Sequence, residues 1–458
     1  MNQIFLKHIN KYHPINWLFK SIERSRNVDR SKIDKQENLY GSTEFLIIMS
    51  DIALRVSQNR NLTTTIPTHK EYVDFINIYI NTQSKGHSPL IQKYGISALS
   101  LLVSEQVKFM YPNINLIGRL LVLYSNYEKE IFQITGLKIN DILTLLIAIM
   151  AFYSKSENYI FEIKNLNIES VKSLEIENIT NFLKYFSIDK QNYNLKLKKM
   201  GLNKRELYSF RLLERFPIIN FEKNKYIVPS IENLLYSITS NMHIHLLEYM
   251  SKEGKGSEHH NSLGAKFEEY VRLLTSKKFD DMVEAKDIVP PKSANAEFVV
   301  DFNDTAIVVE VKKMAFLRDT AFKDNLDDLD TLLKRHILKA FKQIETTFKS
   351  VTQTNKIGII VIFGDIHLVA GFIYDYMRKT YPDEGIEFLE NIIIMPIGEY
   401  EALLANSDGE IINILNYYLG QELKDKGSIL LTIESLQKNI YNEFLEEKFN
   451  NYSSVRRS

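Results

Sequence analysis

Ala296-Glu297-Phe298-Val299-Val300-Asp301-Phe302-Asn303-Asp304-Thr305-Ala306-Ile307-Val308-Val309-Glu310-Val311-Lys312-Lys313 decides how this chain is read. Two short runs rich in β-branched residues, 298–302 and 306–311, flank a polar turn, which is the pattern of a β-hairpin. Strand side chains alternate between faces. Glu310 and Lys312 therefore share one face, and Val309 and Val311 share the other. A carboxylate and an amine ending an apolar strand are costly to bury unless they are paired or ligating, so they point to chemistry.

Turn length decides which acid faces Glu310. Asn303 and Asp304 both tolerate positive φ and suit a two-residue turn. Phe302 then pairs with Thr305 and Glu297 with Glu310, and a four-residue loop over 302–305 gives the same pairing. Glu297, Asp301, Glu310 and Lys312 share one face in this register. Glu297 lies directly opposite Glu310, with Cβ atoms ~5 Å apart, whereas Asp301 lies four residues along the strand, ~13 Å away. Opposed carboxylates repel, and a divalent cation with oxygen ligands, such as Mg²⁺, would remove that penalty. A three-residue loop would instead turn Glu297 and Asp301 to the other face.

Around this hairpin the texture is that of an α/β layer. Residues 263–278 and 326–349 read as helices, and 357–363 and 391–396 as fully apolar strands. A polar stretch without apolar residues, 251–262, reads as a linker. Before it, helical spacing recurs at 43–58, 71–81, 90–110, 115–132, 140–155 and 231–250. The expected organisation is thus a helical recognition or sensor region over 1–250, a linker over 251–262, an α/β domain over 263–400 and a helical extension over 401–458.

Composition narrows the classes. The 458 residues are 45% hydrophobic and 25% charged, as in ordinary globular proteins and unlike disordered or collagenous chains. Cysteine is absent, which excludes disulfides, thiolate metal sites and cysteine catalysis. Neither an apolar signal segment at the start nor a span of ~20 apolar residues is seen. The longest uncharged apolar run of the helical half, 142–153, is read as a buried helix, and a cytoplasmic protein with no membrane partner is expected. Residues 1–250 carry 31 Lys and Arg against 23 Asp and Glu, and residues 251–458 carry 26 against 34. A basic half suits an anionic partner. Within 190–215, Lys196, Lys198, Lys199, Lys204 and Arg205, interleaved with Tyr193 and Tyr208, suit phosphate contact with some stacking; a solvated helix face is the competing reading. His259 and His260 sit in the polar stretch and read as solvated.

With these residues in view, the segment 260–400 resembles the core of the PD-(D/E)XK, restriction-endonuclease-like nucleases. Glu310-Val311-Lys312 after an acidic strand resembles the central motif. Gly264-Ala265-Lys266-Phe267-Glu268 resembles the first helix, which bears a Glu four residues after a Gly. Gln343 falls on the helix where some members carry a Gln. The resemblance implies an all-α N-terminal region followed by an α/β domain with a central mixed sheet flanked by helices. It implies a Mg²⁺ (or Mn²⁺) site made by Glu310, Glu268 and either Glu297 or Asp301, with Lys312 acting on the attacking water and Gln343 near the nucleic acid. The register favours Glu297, and residue type favours Asp301. The implied activity is that of a phosphodiester-cleaving endonuclease acting on DNA. Bacterial genome-defence (antiviral) effectors of this build supply an analogy for the helical region, which would recognise nucleic acid, a protein partner or another copy. The alternative is an inactive nucleic-acid-binding or scaffold protein on the same fold.

Overall fold

The computed structural model describes residues 3–27, 43–83, 111–166, 174–199, 211–302, 304–313, 326–364, 370–381, 389–422 and 426–455. The helix expected over 90–110 lies outside them. The chain divides into two units, one of residues 1–86, 119–254 and 450–458, and one of residues 87–118 and 255–449.

The first unit is mostly helical. Its apolar run 142–153 lies in the helix Ile139–Lys155, which buries Ile142, Leu143, Leu145, Leu146 and Ile149. Among the described residues no single helix is long and apolar enough to cross a membrane. The all-α expectation needs correction, because a small sheet of β1 (Ser187–Asp189), β2 (Ile218–Glu222) and β3 (Lys225–Ile227) is present. β1 and β2 run parallel, and β2 and β3 antiparallel. Asn224, with φ of 62°, makes the tight return, a conformation that Asn tolerates. Runs of three to five residues are too short to show a period of two.

The stretch expected as a linker is mostly helix. The helix Met242–Lys252 ends, Gly254 turns the chain with φ of 73°, and a new helix runs over Gly256–Lys278. Its first turns are polar because they are largely exposed; His259 and Leu263 begin the buried face. The division between units falls at this turn. Residues 401–458 form no separate extension. The helices Asp408–Gly420 and Ile429–Ser435 belong to the second unit. The last helix reaches the first, where Thr144 and Tyr452 share a 2.8 Å hydrogen bond.

The second unit is built on a mixed five-stranded sheet in the order β4 (Met282–Glu284), β5 (Phe298–Phe302), β6 (Thr305–Lys312), β7 (Asn355–Ile362) and β8 (Ile392–Pro396). β4–β5 and β5–β6 are antiparallel; β6–β7 and β7–β8 are parallel. A parallel pair needs a crossover, and Leu326–Leu333, a π-helical turn Lys334–Leu338 and Lys339–Phe348 supply it between β6 and β7. Leu333, Ile337, Phe341, Ile344 and Phe348 of this crossover pack with Val299, Ala306, Val308, Ile360 and Ile362 into one core. By alternation Glu310 and Lys312 face the same side as Ala306 and Val308, and as Val299 across the pairing. The Gly256–Lys278 helix buries Phe267, whose ring meets Phe363 edge-on at 5.0 Å between centroids.

Gly358 on β7 makes the sheet-to-crossover contact close. A Cβ there would come within 2.8 Å of Ile344 Cγ2 and 2.9 Å of Ile392 Cγ1. Gly358→Ala is therefore expected to destabilise the protein by about 1–3 kcal/mol, as overpacking does. An unchanged urea midpoint would show that this contact relaxes freely.

Candidate functional site

β5 and β6 pair Phe302 with Thr305, Asp301 with Ala306 and Phe298 with Val309. Two residues thus remain for the turn. The paired ladder ends at Phe298 and Val309; the Glu297 backbone N–H also turns to Val309 O, at 3.0 Å and one residue out of that register, so Glu297 sits at a bulge beyond the strand end, close enough to Glu310 to feel its charge. Asp301 sits at the turn end, exposed, and accepts a 2.6 Å bond from Gln353 Nε2. Of the two acids on β5, the structure brings Glu297 to Glu310 and leaves Asp301 apart.

Glu310 is fully buried. Lys312 Nζ donates to one of its carboxylate oxygens and, at 2.8 Å, to Gln343 Oε1. Gln343 Nε2 donates in turn to Asn295 O at 2.7 Å, and the Ala296 N–H donates to Thr347 Oγ1 at 3.0 Å. The crossover helix thereby fixes both Lys312 and the chain entering β5. Gln343 here holds the acid pair in place.

Glu268 comes from the Gly256–Lys278 helix and lies close enough to Glu297 to raise it. Four residues on, Arg272 lies on the same helical face. Its Nη2 is 3.2 Å from Glu268 and 3.9 Å from Glu297, and its Nε donates to Glu284 at 2.9 Å. The sequence reading missed Glu284 and Arg272. Glu284 ends a three-residue strand with no legible period, whereas the i, i+4 spacing of Glu268 and Arg272 was a visible signal. Gly264, one turn before Glu268, makes room for Lys313, whose Cδ would lie 3.3 Å from a Cβ at 264.

The acids resist ionisation. Burial, only partly offset by Lys312, pushes Glu310 up to about 7. Glu297 is raised by burial first, then by the charges of Glu310 and Glu268. Glu310 Oε2 is buried without a hydrogen-bond partner among the protein groups, and a proton, a cation or a donor such as water would satisfy it. The donors are all hard oxygens, which suit Mg²⁺ or Mn²⁺, so the residues fit such an ion. As they stand, no three His, Asp or Glu side chains among the described residues converge as a ready ligand set. Arg272 draws Glu268 towards Glu284, and Lys312 holds Glu310.

The basic segment of the first unit is only partly described. Lys196, Lys198 and Lys199 are exposed on the helix Lys190–Lys199, and Lys196 Nζ lies 4.7 Å over the Phe216 ring. Tyr193 is fully buried and cannot stack on a base. Lys204, Arg205 and Tyr208 lie outside the described residues. Of the two adjacent histidines read as solvated, His259 is buried and His260 exposed.

No family model, no curated protein and no solved structure matches this chain.

The raised acids give stability a pH dependence. Both folded pKa values lie above the ordinary carboxyl value of 4.5. Between about 4.5 and 7 the folded state therefore holds protons that the unfolded chain gives up, and stability from these groups falls as pH rises. In metal-free buffer the urea midpoint is expected to drop from pH 5 to pH 8, and Glu310→Gln should shrink that drop. An equal drop in the variant would assign the dependence to other groups.

Proposed function

We propose that the second unit is a divalent-metal-dependent nuclease with a PD-(D/E)XK, restriction-endonuclease-like core, hydrolysing phosphodiester bonds of DNA as an endonuclease. One observation carries the reading: the buried carboxylate of Glu310 and the half-buried one of Glu297 lie close enough for the charge of Glu310 to raise Glu297, with Lys312 bonded to Glu310. The supporting order is helix with Glu268, hairpin, crossover helix with Gln343, then parallel strand. DNA and a genome-defence role rest on resemblance and analogy alone. For the helical unit we infer recognition of nucleic acid, a protein partner or a second copy.

Glu297 and Glu310 would hold Mg²⁺ or Mn²⁺, joined by Glu268 once it leaves Arg272. Such an ion lowers the pKa of a bound water and stabilises charge on the scissile phosphate. Lys312, anchored by Gln343, holds its amine beside the acid pair, where it can donate to a phosphate oxygen or orient the attacking water. The crossover helix holds these groups before substrate arrives, so little ordering remains to be done at the moment of reaction.

A plasmid-cleavage assay with Mg²⁺ or Mn²⁺ tests the reading. Cleavage is expected from the full chain and not from Glu310→Ala. Loss of a direct ligand should cost roughly 100-fold or more, so Glu297→Ala should fall at least that far, while Asp301→Ala stays within a few fold of wild type. An active Glu297→Ala with a dead Asp301→Ala would move the second ligand to Asp301. Plasmid binding without cleavage under any divalent ion would support the inactive binding or scaffold reading instead.

Arg272 provides a second check. Removing its charge takes away the cation nearest Glu268 and Glu297 and leaves Lys312 on Glu310. Arg272→Gln is therefore expected to bind Mn²⁺ more tightly than wild type in calorimetry. Unchanged affinity would mean that Arg272 does not compete for the site.

A further inference from the structure

Beside the acid pair the structure gathers basic groups from three elements. Lys313 directly follows β6, half-buried, and its Nζ donates to the backbone carbonyl of His260 near the start of the Gly256–Lys278 helix. The crossover contributes Arg335 and His336 from its π-helical turn and Lys339 just after it. Lys339 lies one turn before Gln343, which touches Lys312, so this face of the helix meets the end of β6. His336 is surrounded by Arg335, Lys312, His260 and Lys339, and with burial they push it down to about 4. His260 is likewise lowered, by burial, Lys313 and Arg335. Burial holds Lys313 at about 8.

Lys313, Arg335 and Lys339 form no ion pair among the described residues, and Arg335 and Lys339 are exposed. Three cations and two imidazoles whose protonation is disfavoured make up a set of donors, and Glu310, the carboxylate that feels Lys339, is already held by Lys312. Like charges held together cost free energy that a bound anion would recover. Neutral imidazole N–H groups add hydrogen bonds to anionic oxygens without adding to the repulsion. π-Helical turns recur at functional sites, and this one brings two of the five groups. Lys312 joins the cluster to Glu310, which places any anion held here next to whatever the acid pair acts on.

We propose that His260, Lys313, Arg335, His336 and Lys339 form a phosphate site that holds a backbone phosphate of nucleic acid, adjacent in the strand to the one facing Glu297 and Glu310. The placement next to the scissile phosphate rests on the nuclease reading; the binding of a backbone phosphate does not. The site would set the strand's register over the acids, since phosphate contacts position a nucleic acid without reading its sequence.

Fluorescence anisotropy with a labelled DNA duplex, in EDTA so that nothing is cut, tests this on the full chain across a KCl series. The double variant Arg335→Gln, Lys339→Gln is compared with Lys342→Gln, Lys349→Gln, an equal charge loss on the same helix. All four side chains are exposed, so both variants should fold. In the first variant the slope of log affinity against log salt should fall by about 0.9, the value for one lost duplex phosphate contact. Affinity should fall roughly 10-fold, as expected for a charge-assisted contact. The control should change neither. An unchanged slope in the first variant, or equal losses in both, would overturn the site. Inorganic phosphate is the remaining probe. If it raises the melting temperature of wild type but not of the first variant while duplex binding is unaffected, the site takes free phosphate and the proposal fails. If duplex binding behaves as expected but no metal supports cleavage, the phosphate site stands and the nuclease reading falls.

Discussion

The register between β5 and β6 is the constraint on which the second unit depends. A two-residue return after Phe302 pairs Val299 with Val308 and Asp301 with Ala306, and so turns Glu310 to the side that Val299, Ala306 and Val308 share with the crossover helix, with Glu297 beside it just past the paired strands. A shift of one residue would send Glu297 and Val299 to the other face. The hydrophobic pattern and the acid pair are thus enforced together. The same pairing that buries the valines forces Glu310 into a low-dielectric position, where burial disfavours its ionisation and its charge in turn disfavours that of Glu297.

The fold keeps that position by surrounding the acids with its own donors. Lys312 satisfies one oxygen of Glu310, and Arg272 spans Glu268 and Glu284 within reach of Glu297. Gln343 links Lys312 to the backbone at Asn295, so the amine, the crossover helix and the entry to β5 move as one. Removing one partner from such a network leaves a buried charge uncompensated, which is costlier than the pair is stabilising. The unsatisfied Glu310 Oε2 is the point where the protein's own groups stop. Polar atoms are rarely left so in a stable core, and this one lies at the end of a strand, beside a face lined with basic groups.

Much of this was legible in the sequence because it follows from local rules. Alternation from Phe298 to Lys312 fixed which side chains share a face, and Asn303-Asp304 fixed the turn length. The apolar strands and both helices flanking the sheet followed from periodicity. Short elements were not legible. The strands β1 to β4 have three to five residues each, too few for a period to emerge from local sequence, and their pairing is made by partners far along the chain. Residues 251–262 misled for a different reason. A helix whose first turns face solvent needs no apolar residues, so composition alone resembled a linker.

By itself the sequence determined the hairpin and its register from Phe298 to Val309, since each depends on residues within one turn of their neighbours; Glu297 meets Glu310 beyond that paired stretch. Tertiary structure alone decided that Arg272 and Glu284 join them, that Gln343 is a tether for Lys312, and that His260, Lys313, Arg335, His336 and Lys339 collect on one side. Those groups come from a helix, a strand and a crossover that are distant in the chain. Only the packing of these helices with the sheet brings such side chains within a few ångströms, and no local propensity encodes that distance.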